Sequence, residues 1–153
     1  QRVSSSAIRT LLSEGDFKKA QSYLGRPFSI SGRVAHGEKM GRTIGFPTAN
    51  ISIRRKLSPV LGVYSVLVNI NNTTYTGVCN IGKRPTIGGT KVLLEVFIFN
   101  FDQEIYGEHA TVIFKQKCRD ELKFNSLKEL KIQIKNDVEK SKDYFKNMDF
   151  LSY

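Results

Sequence analysis

Apolar positions keep two different rhythms along this chain. From Phe28 to Phe114 they alternate with polar ones, as in Phe28, Ile30, Gly32 and Val34, which is the period of a strand with two unlike faces. Gly62 to Ile70 reads as a second strand, and Asn71-Asn72 is a turn signal after which Thr73 to Val78 returns as a hairpin. Lys91 to Phe101 is the longest strand candidate, Ala110 to Lys117 is another, and Asp102-Gln103-Glu104 and Gly107 bracket their connection. From Ser126 the period lengthens to about 3.6: Leu127, Leu130, Ile134, Val138 and Phe145 form one stripe with lysines opposite. Ser126 and Glu129 make a capping box at its start. The first 25 residues also read as helical. Ser5 or Ser6 caps a helix carrying Ile8, Leu11 and Leu12, and Gly15 stops it. Asp16 then caps a second short helix with Phe17, Ala20, Tyr23 and Leu24 on one side, ended by Gly25.

Several short strands at turn-length spacing with no helices between them predict an antiparallel sheet. The expectation is a mainly β fold: a closed or nearly closed, Greek-key-like, six-stranded barrel with a long C-terminal helix and a short helical N-terminal segment. A chain of 153 residues suits one domain with a real core. No apolar run approaches the roughly 18–20 residues of a membrane span, and the polar N-terminus lacks the apolar stretch of a signal peptide. Cys79 and Cys118 stand in no ligand spacing, which suits a reduced, cytoplasmic protein. His36 and His109 form no metal pattern. The net charge of +10 invites a nucleic acid. Lys and Arg are spread along the chain, however, with Arg54-Arg55-Lys56 the one compact run, and no aromatics interleave with them. A basic enzyme for phosphorylated nucleotides accounts for the charge equally well.

The candidate chemistry begins at Gly41-Arg-Thr-Ile-Gly-Phe-Pro-Thr-Ala-Asn50. Gly41 and Gly45 permit positive φ and close approach of backbone to a ligand, and bare N–H groups can point at an anion. Arg42 adds a fork matched to phosphate oxygens. Pro47 stiffens the exit, and Thr48 and Asn50, two apart on an extended chain, face the same way. Their neutral oxygens suit a magnesium ion that already holds phosphates. An ordinary Gly/Pro surface loop fits the same composition. A second glycine-rich run, Gly77 to Arg84, nearly spells a P-loop. It is rejected, because Arg84 replaces the magnesium-binding hydroxyl and Pro85-Thr86-Ile87-Gly88-Gly89 cannot continue as a helix. Within Lys91–Phe101 one residue is ionisable after the first: Glu95, on the face of Leu93, Phe97, Phe99 and Phe101, with Val92, Leu94, Val96 and Ile98 opposite. Such a carboxylate is costly unless paired. Burial would raise its pKa and suit a general base; a glutamate at a barrel mouth paired with a lysine is the alternative.

Gly41 to Asn50, with Gly32-Arg33-Val34 and His36-Gly37 before it, resembles the signature of the riboflavin kinases. More narrowly, it is similar to the kinase module that ends the bacterial bifunctional riboflavin kinase/FMN adenylyltransferases. The similarity covers about residues 26 to 145. It includes Gly77 to Thr86, Tyr106-Gly107-Glu108, and Arg119 to Phe124 leading into Ser126-Leu127. The resemblance implies ATP-dependent, Mg²⁺-assisted phosphorylation of riboflavin to FMN, with ADP released. Gly37, Lys39, Gly41, Arg42, Gly45, Pro47 and Thr48 would bind ATP, Thr48 and Asn50 would hold the metal, and Glu95 would be the base. Asn80, Ile81, Phe97, Arg119 and Glu121 would meet the flavin, with Gly77–Thr86 a bend beside its pocket and 119–124 a flap over it. Family members often carry His two positions after the glutamate; this chain has Phe97.

Val3 to Arg9 resembles a nucleotidyltransferase signature whose upstream partner motif is absent. The resemblance therefore implies a C-terminal piece of a longer protein. Residues 1–25 would be a linker from an adenylyltransferase module, 26–146 the kinase and 147–153 a tail. Neither nucleic acid nor membrane is expected as a partner. Two other functions compete: a basic barrel for single-stranded nucleic acid in the manner of OB-folds, and a flavin-binding regulatory module without catalysis.

Overall fold

The computed structural model describes residues 4–35, 48–51, 53 and 58–147. Two helices, α1 (Ser5–Glu14) and α2 (Phe17–Leu24), precede six strands: β1 (Ser29–Ala35), β2 (Ala49–Ile51), β3 (Gly62–Ile70), β4 (Thr73–Thr86), β5 (Gly89–Ile98) and β6 (His109–Arg119). A last helix, α3 (Leu127–Lys146), follows. The strands close into one barrel in the order β1-β2-β5-β4-β3-β6, every pairing antiparallel. That is the mainly β, six-stranded antiparallel barrel expected, and the alternation accounts for its barrel-like, antiparallel character.

Local chemistry sets the ends of the elements. The cap of α1 is Ser4, one residue before the serines expected, and its hydroxyl accepts from the Ala7 amide. Gly15 closes α1 at φ 82°, where a side chain would be strained. Asp16 caps α2 as expected. Asn71 and Asn72, with φ 52° and 64°, form the β3–β4 turn, which suits the twist of a tight hairpin. At α3 the Ser126 hydroxyl accepts from the Glu129 amide, while the Glu129 carboxylate accepts from the amide of Asn125. The returning carboxylate thus reaches one residue further back than in the usual box.

Three expectations are corrected. β4 does not stop at Val78 but runs on to Thr86 and is the longest strand. β5 ends at Ile98, because Asn100 turns left-handed at φ 52°. The turn breaks the alternation, so Phe99 packs under α3 while Phe101 packs against the barrel interior, on Tyr75. Leu127, Tyr23 and Leu24, assigned to apolar faces, are exposed. Each stands at a helix end, Tyr23 and Leu24 closing α2 and Leu127 opening α3.

The protein has two apolar layers. Inside the barrel lie Ile30, Val34, Tyr64, Val66, Val68, Ile81, Leu94, Val96, Val112 and Phe114, all buried. Outside it, α3 lays Val138 and Phe145 over Val63, Leu67, Val78 and Phe99. β3 belongs to both layers, and all its residues except Asn69 are buried. At one end of the barrel α1 and α2 add Leu12, Phe17 and Ala20 to the interior cluster. The Phe17 ring stands 5.7 Å from Tyr64 and 5.9 Å from Phe114.

α3 also carries buried polar groups that its stripe does not reveal. Asp137 receives two hydrogen bonds from Arg119 of β6, at 2.9 and 2.8 Å, and one from Gln133 at 3.1 Å. The Ser141 hydroxyl meets that of Ser65 on β3 at 2.7 Å.

Candidate active site on the outer wall of the barrel

Strand parity decides which side chains meet. Along β5 the residues Val92, Leu94, Val96 and Ile98 fill the interior, so Leu93, Glu95 and Phe97 face outward. Along β4, Cys79 and Ile81 point inward, and Val78, Asn80, Gly82 and Arg84 form the outward series. Register then aligns the two series: Val78 lies opposite Phe97, Asn80 opposite Glu95, and Arg84 opposite Lys91. On the other side of β5, β2 sets Asn50 opposite Glu95 as well. Asn50, Glu95 and Asn80 therefore form a polar row across three neighbouring strands, just beyond the area that α3 covers.

Glu95 sits at the centre of this row. Its side chain is 15% exposed. Thr48 Oγ1 donates to its Oε2 at 3.4 Å, and Arg84 Nη2 stands 3.9 Å from its Oε1. Among the described residues the cation paired with it is an arginine, where a lysine was weighed as the alternative. Thr48 and Phe97 also line a cavity of about 410 Å³, which continues to Val34, Phe101 and Tyr106. Asn80 Oδ1 is buried with no hydrogen-bond partner, which leaves an acceptor to be satisfied by something else.

The structure thus brings Thr48, Asn50, Glu95, Asn80 and Phe97 together. Ile81 sits one position from Asn80 but is fully buried in the interior cluster, so its side chain faces away from the row. Arg119 is engaged by Asp137 on α3 and lies 5.8 Å from the Phe124 ring. Glu121 reaches back to the outer wall and meets Arg84 at 3.4 Å. Gly37, Lys39, Gly41, Arg42, Gly45 and Pro47 lie outside the described residues, as do His36 and Arg54-Arg55-Lys56. Gly77 to Thr86 is strand, with no helix after it, which bears out the rejection of a P-loop. Sequence reasoning used Arg84 only to dismiss that motif. Alternation from Asn80 through Gly82 puts it on one face with Asn80; that Glu95 shares this face follows only from the β4–β5 pairing.

The donors in the row are hydroxyl, amide and carboxylate oxygens, the hard ligands that Mg²⁺ takes. Among the described residues no three His, Cys, Asp or Glu side chains cluster as a metal cage. One or two protein oxygens suffice for a magnesium ion held mainly by phosphates and water. Nor is any helix of the described residues long and apolar enough to cross a membrane.

Comparison with known proteins converges on one family. The riboflavin kinase family model matches residues 24–145. The bifunctional riboflavin kinase/FMN adenylyltransferase of Haemophilus influenzae is 51% identical over 146 residues, 95% of this chain and 47% of that protein. The Bacillus subtilis protein of the same description is 43% identical over 97% of this chain and 48% of its own length. The chain spans about half the length of the curated relatives it matches. Among solved structures, a Streptococcus pneumoniae protein described as a macrolide-efflux protein superposes with TM-score 0.81 at 38% identity, over 97% of this chain and 48% of that one. A riboflavin kinase from Trypanosoma brucei, 24% identical with TM-score 0.56 over 79% of this chain and 78% of its own, shares the fold.

Proposed function

Because the chain belongs to the riboflavin kinase family, we propose that it transfers the γ-phosphoryl group of ATP to the ribityl 5′-hydroxyl of riboflavin, giving FMN and ADP. The observation that carries this reading is the meeting of Thr48 and Asn50 with Glu95, Thr48 by a hydrogen bond and Asn50 by register, with Thr48 itself on the lining of the adjoining cavity. Phosphoryl transfer asks little covalent chemistry of a protein. It needs positioning, charge neutralisation and a proton acceptor.

Glu95 is the acceptor. The Thr48 hydroxyl holds one of its oxygens and Arg84 faces the other, so the carboxylate is oriented before substrate arrives. It takes the proton of the attacking hydroxyl as the new O–P bond forms and the bond to the ADP oxygen breaks. Thr48 and Asn50 would hold Mg²⁺, which supplies neutralisation of the phosphate charge when bound. Gly37, Lys39, Gly41, Arg42, Gly45 and Pro47 would cradle the phosphates. Asn80 Oδ1 offers an acceptor to a flavin donor, Phe97 an apolar wall, and Ile81, Arg119 and Glu121 the frame around them.

The kinase family model covers residues 24–145 and the relatives' names carry a second activity; FMN adenylylation would then fall to a linked upstream module, with residues 1–25 as the linker. The free thiols Cys79 and Cys118 suit a reducing cytoplasm.

The test is chromatographic. Purified chain with riboflavin, ATP and Mg²⁺ is expected to yield FMN and ADP in equal amounts, and chelation of the metal to stop it. Absence of FMN under these conditions removes the kinase reading.

A further inference from the structure

Gly82 leaves a gap in the outer wall. On β4 the outward series runs Asn80, Gly82, Arg84, so the place between the asparagine and the arginine holds no side chain. The carboxylate of Glu121 fills it: a Cβ on Gly82 would collide with that carboxylate. Glu121 belongs to the segment 120–125, which joins β6 to α3. The root of the segment is fixed independently, by Asp120 on Lys117 at 2.7 Å and by Phe124 beside the Arg119 guanidinium. Its middle touches the wall through Glu121, and there Arg84 meets it. Arg84 Nη1 lies 3.4 Å from Glu121 Oε2 and donates to the Lys83 carbonyl at 2.9 Å, while Nη2 lies 3.9 Å from Glu95 Oε1. One guanidinium therefore spans two carboxylates, one on the segment and one at the reacting centre.

We infer that Arg84 is a positioning residue for the proposed kinase reaction, tying the seat of the 120–125 segment in the Gly82 notch to the orientation of the Glu95 carboxylate. The inference rests on the kinase reading for its catalytic half and on geometry alone for its structural half. An arginine suits the task because its planar fork offers separate donors to two anions. Both contacts are long and Arg84 is 33% exposed, so the link can be rearranged when substrate enters between the segment and the wall. An ordinary surface ion pair would make no such connection.

Three variants of the purified chain separate these cases: Arg84→Gln, Glu121→Gln and Gly82→Ala, the last filling the notch while sparing Arg84. Tryptic cleavage after Lys123 is read without substrate, and kcat and KM for riboflavin are read with it. All three variants are expected to be cut there faster while melting within a few degrees of the parent. Arg84→Gln is expected to lower kcat about tenfold through a misplaced base; Glu121→Gln and Gly82→Ala act mainly by raising KM. In the Arg84→Gln/Glu121→Gln double variant the rate effects are expected to fall short of multiplying by about threefold or more. An unchanged cleavage rate in Arg84→Gln, or effects that multiply, overturns the inference. If the parent chain makes no FMN, the kinase reading fails on its own, and the cleavage data still decide whether Arg84 seats the segment.

Discussion

At the scale of single residues, the sequence was most informative where a side chain conflicts with its surroundings. Glu95 stands out as a charge on an apolar strand, and strand alternation alone puts it on the face opposite Leu94 and Val96. Replacing it with glutamine should leave ATP binding intact by calorimetry and lower kcat by roughly 10²–10⁴; near-parental turnover would take the base role from it. The orphaned acceptor of Asn80 and the reach of Arg84 were not legible, because both depend on which strand lies beside which. Cys79 illustrates the reverse case, a buried group with a measurable signature. Burial above all, with Cys118 nearby, pushes its thiol well above the ordinary 9.0. The folded chain keeps that proton while the unfolded chain releases it, so stability from this group is complete below about pH 9 and is lost as pH rises. Tyr64, raised chiefly by burial, adds a similar slope at higher pH. Urea midpoints between about pH 8 and pH 10 should therefore fall less steeply in Cys79→Ala than in the parent.

At the scale of elements, caps and turns could be read directly, since Asp16, Ser126 and Asn71-Asn72 act within a few residues of themselves. The end of β4 could not. Gly77, Gly82 and Pro85 look like punctuation, yet each sits in strand because the neighbouring strand β5 pairs with it as far as Thr86. The helix α3 hid its own anchor in the same way. A periodic stripe explains Val138 and Phe145, whereas Asp137 and Ser141 are buried because Arg119 and Ser65 wait for them on the barrel. Asp137→Ala strands a guanidinium that is only 18% exposed, and breaking a buried pair on one side is costly. The expected loss is about 2–4 kcal/mol in urea unfolding, toward the lower figure because water still reaches Arg119. A loss within experimental error would mean that the Asp137–Arg119 pair does not help to hold α3.

At the scale of the whole molecule, the class of fold was legible and the role of the first helices was not. Residues 1–25 read as a helical linker, and the family match begins at residue 24. Their side chains nonetheless finish the core: Phe17 joins Phe28, Tyr64 and Phe114 in one aromatic group at the end of the barrel. Phe17→Ala should cost about 3–5 kcal/mol by chemical denaturation, and removing both helices should lower the melting temperature more than any single substitution in them. A truncated barrel as stable as the parent would make the helices dispensable. The filled interior has one more consequence. Since side chains occupy the lumen and the polar row lies on the exterior, durability and reacting groups are written largely in different positions, the two sets meeting where Val34, Val96 and Ile98 join the cavity lining. Evolution, or an engineer seeking heat tolerance, can redraw the inner set with little trespass on the other.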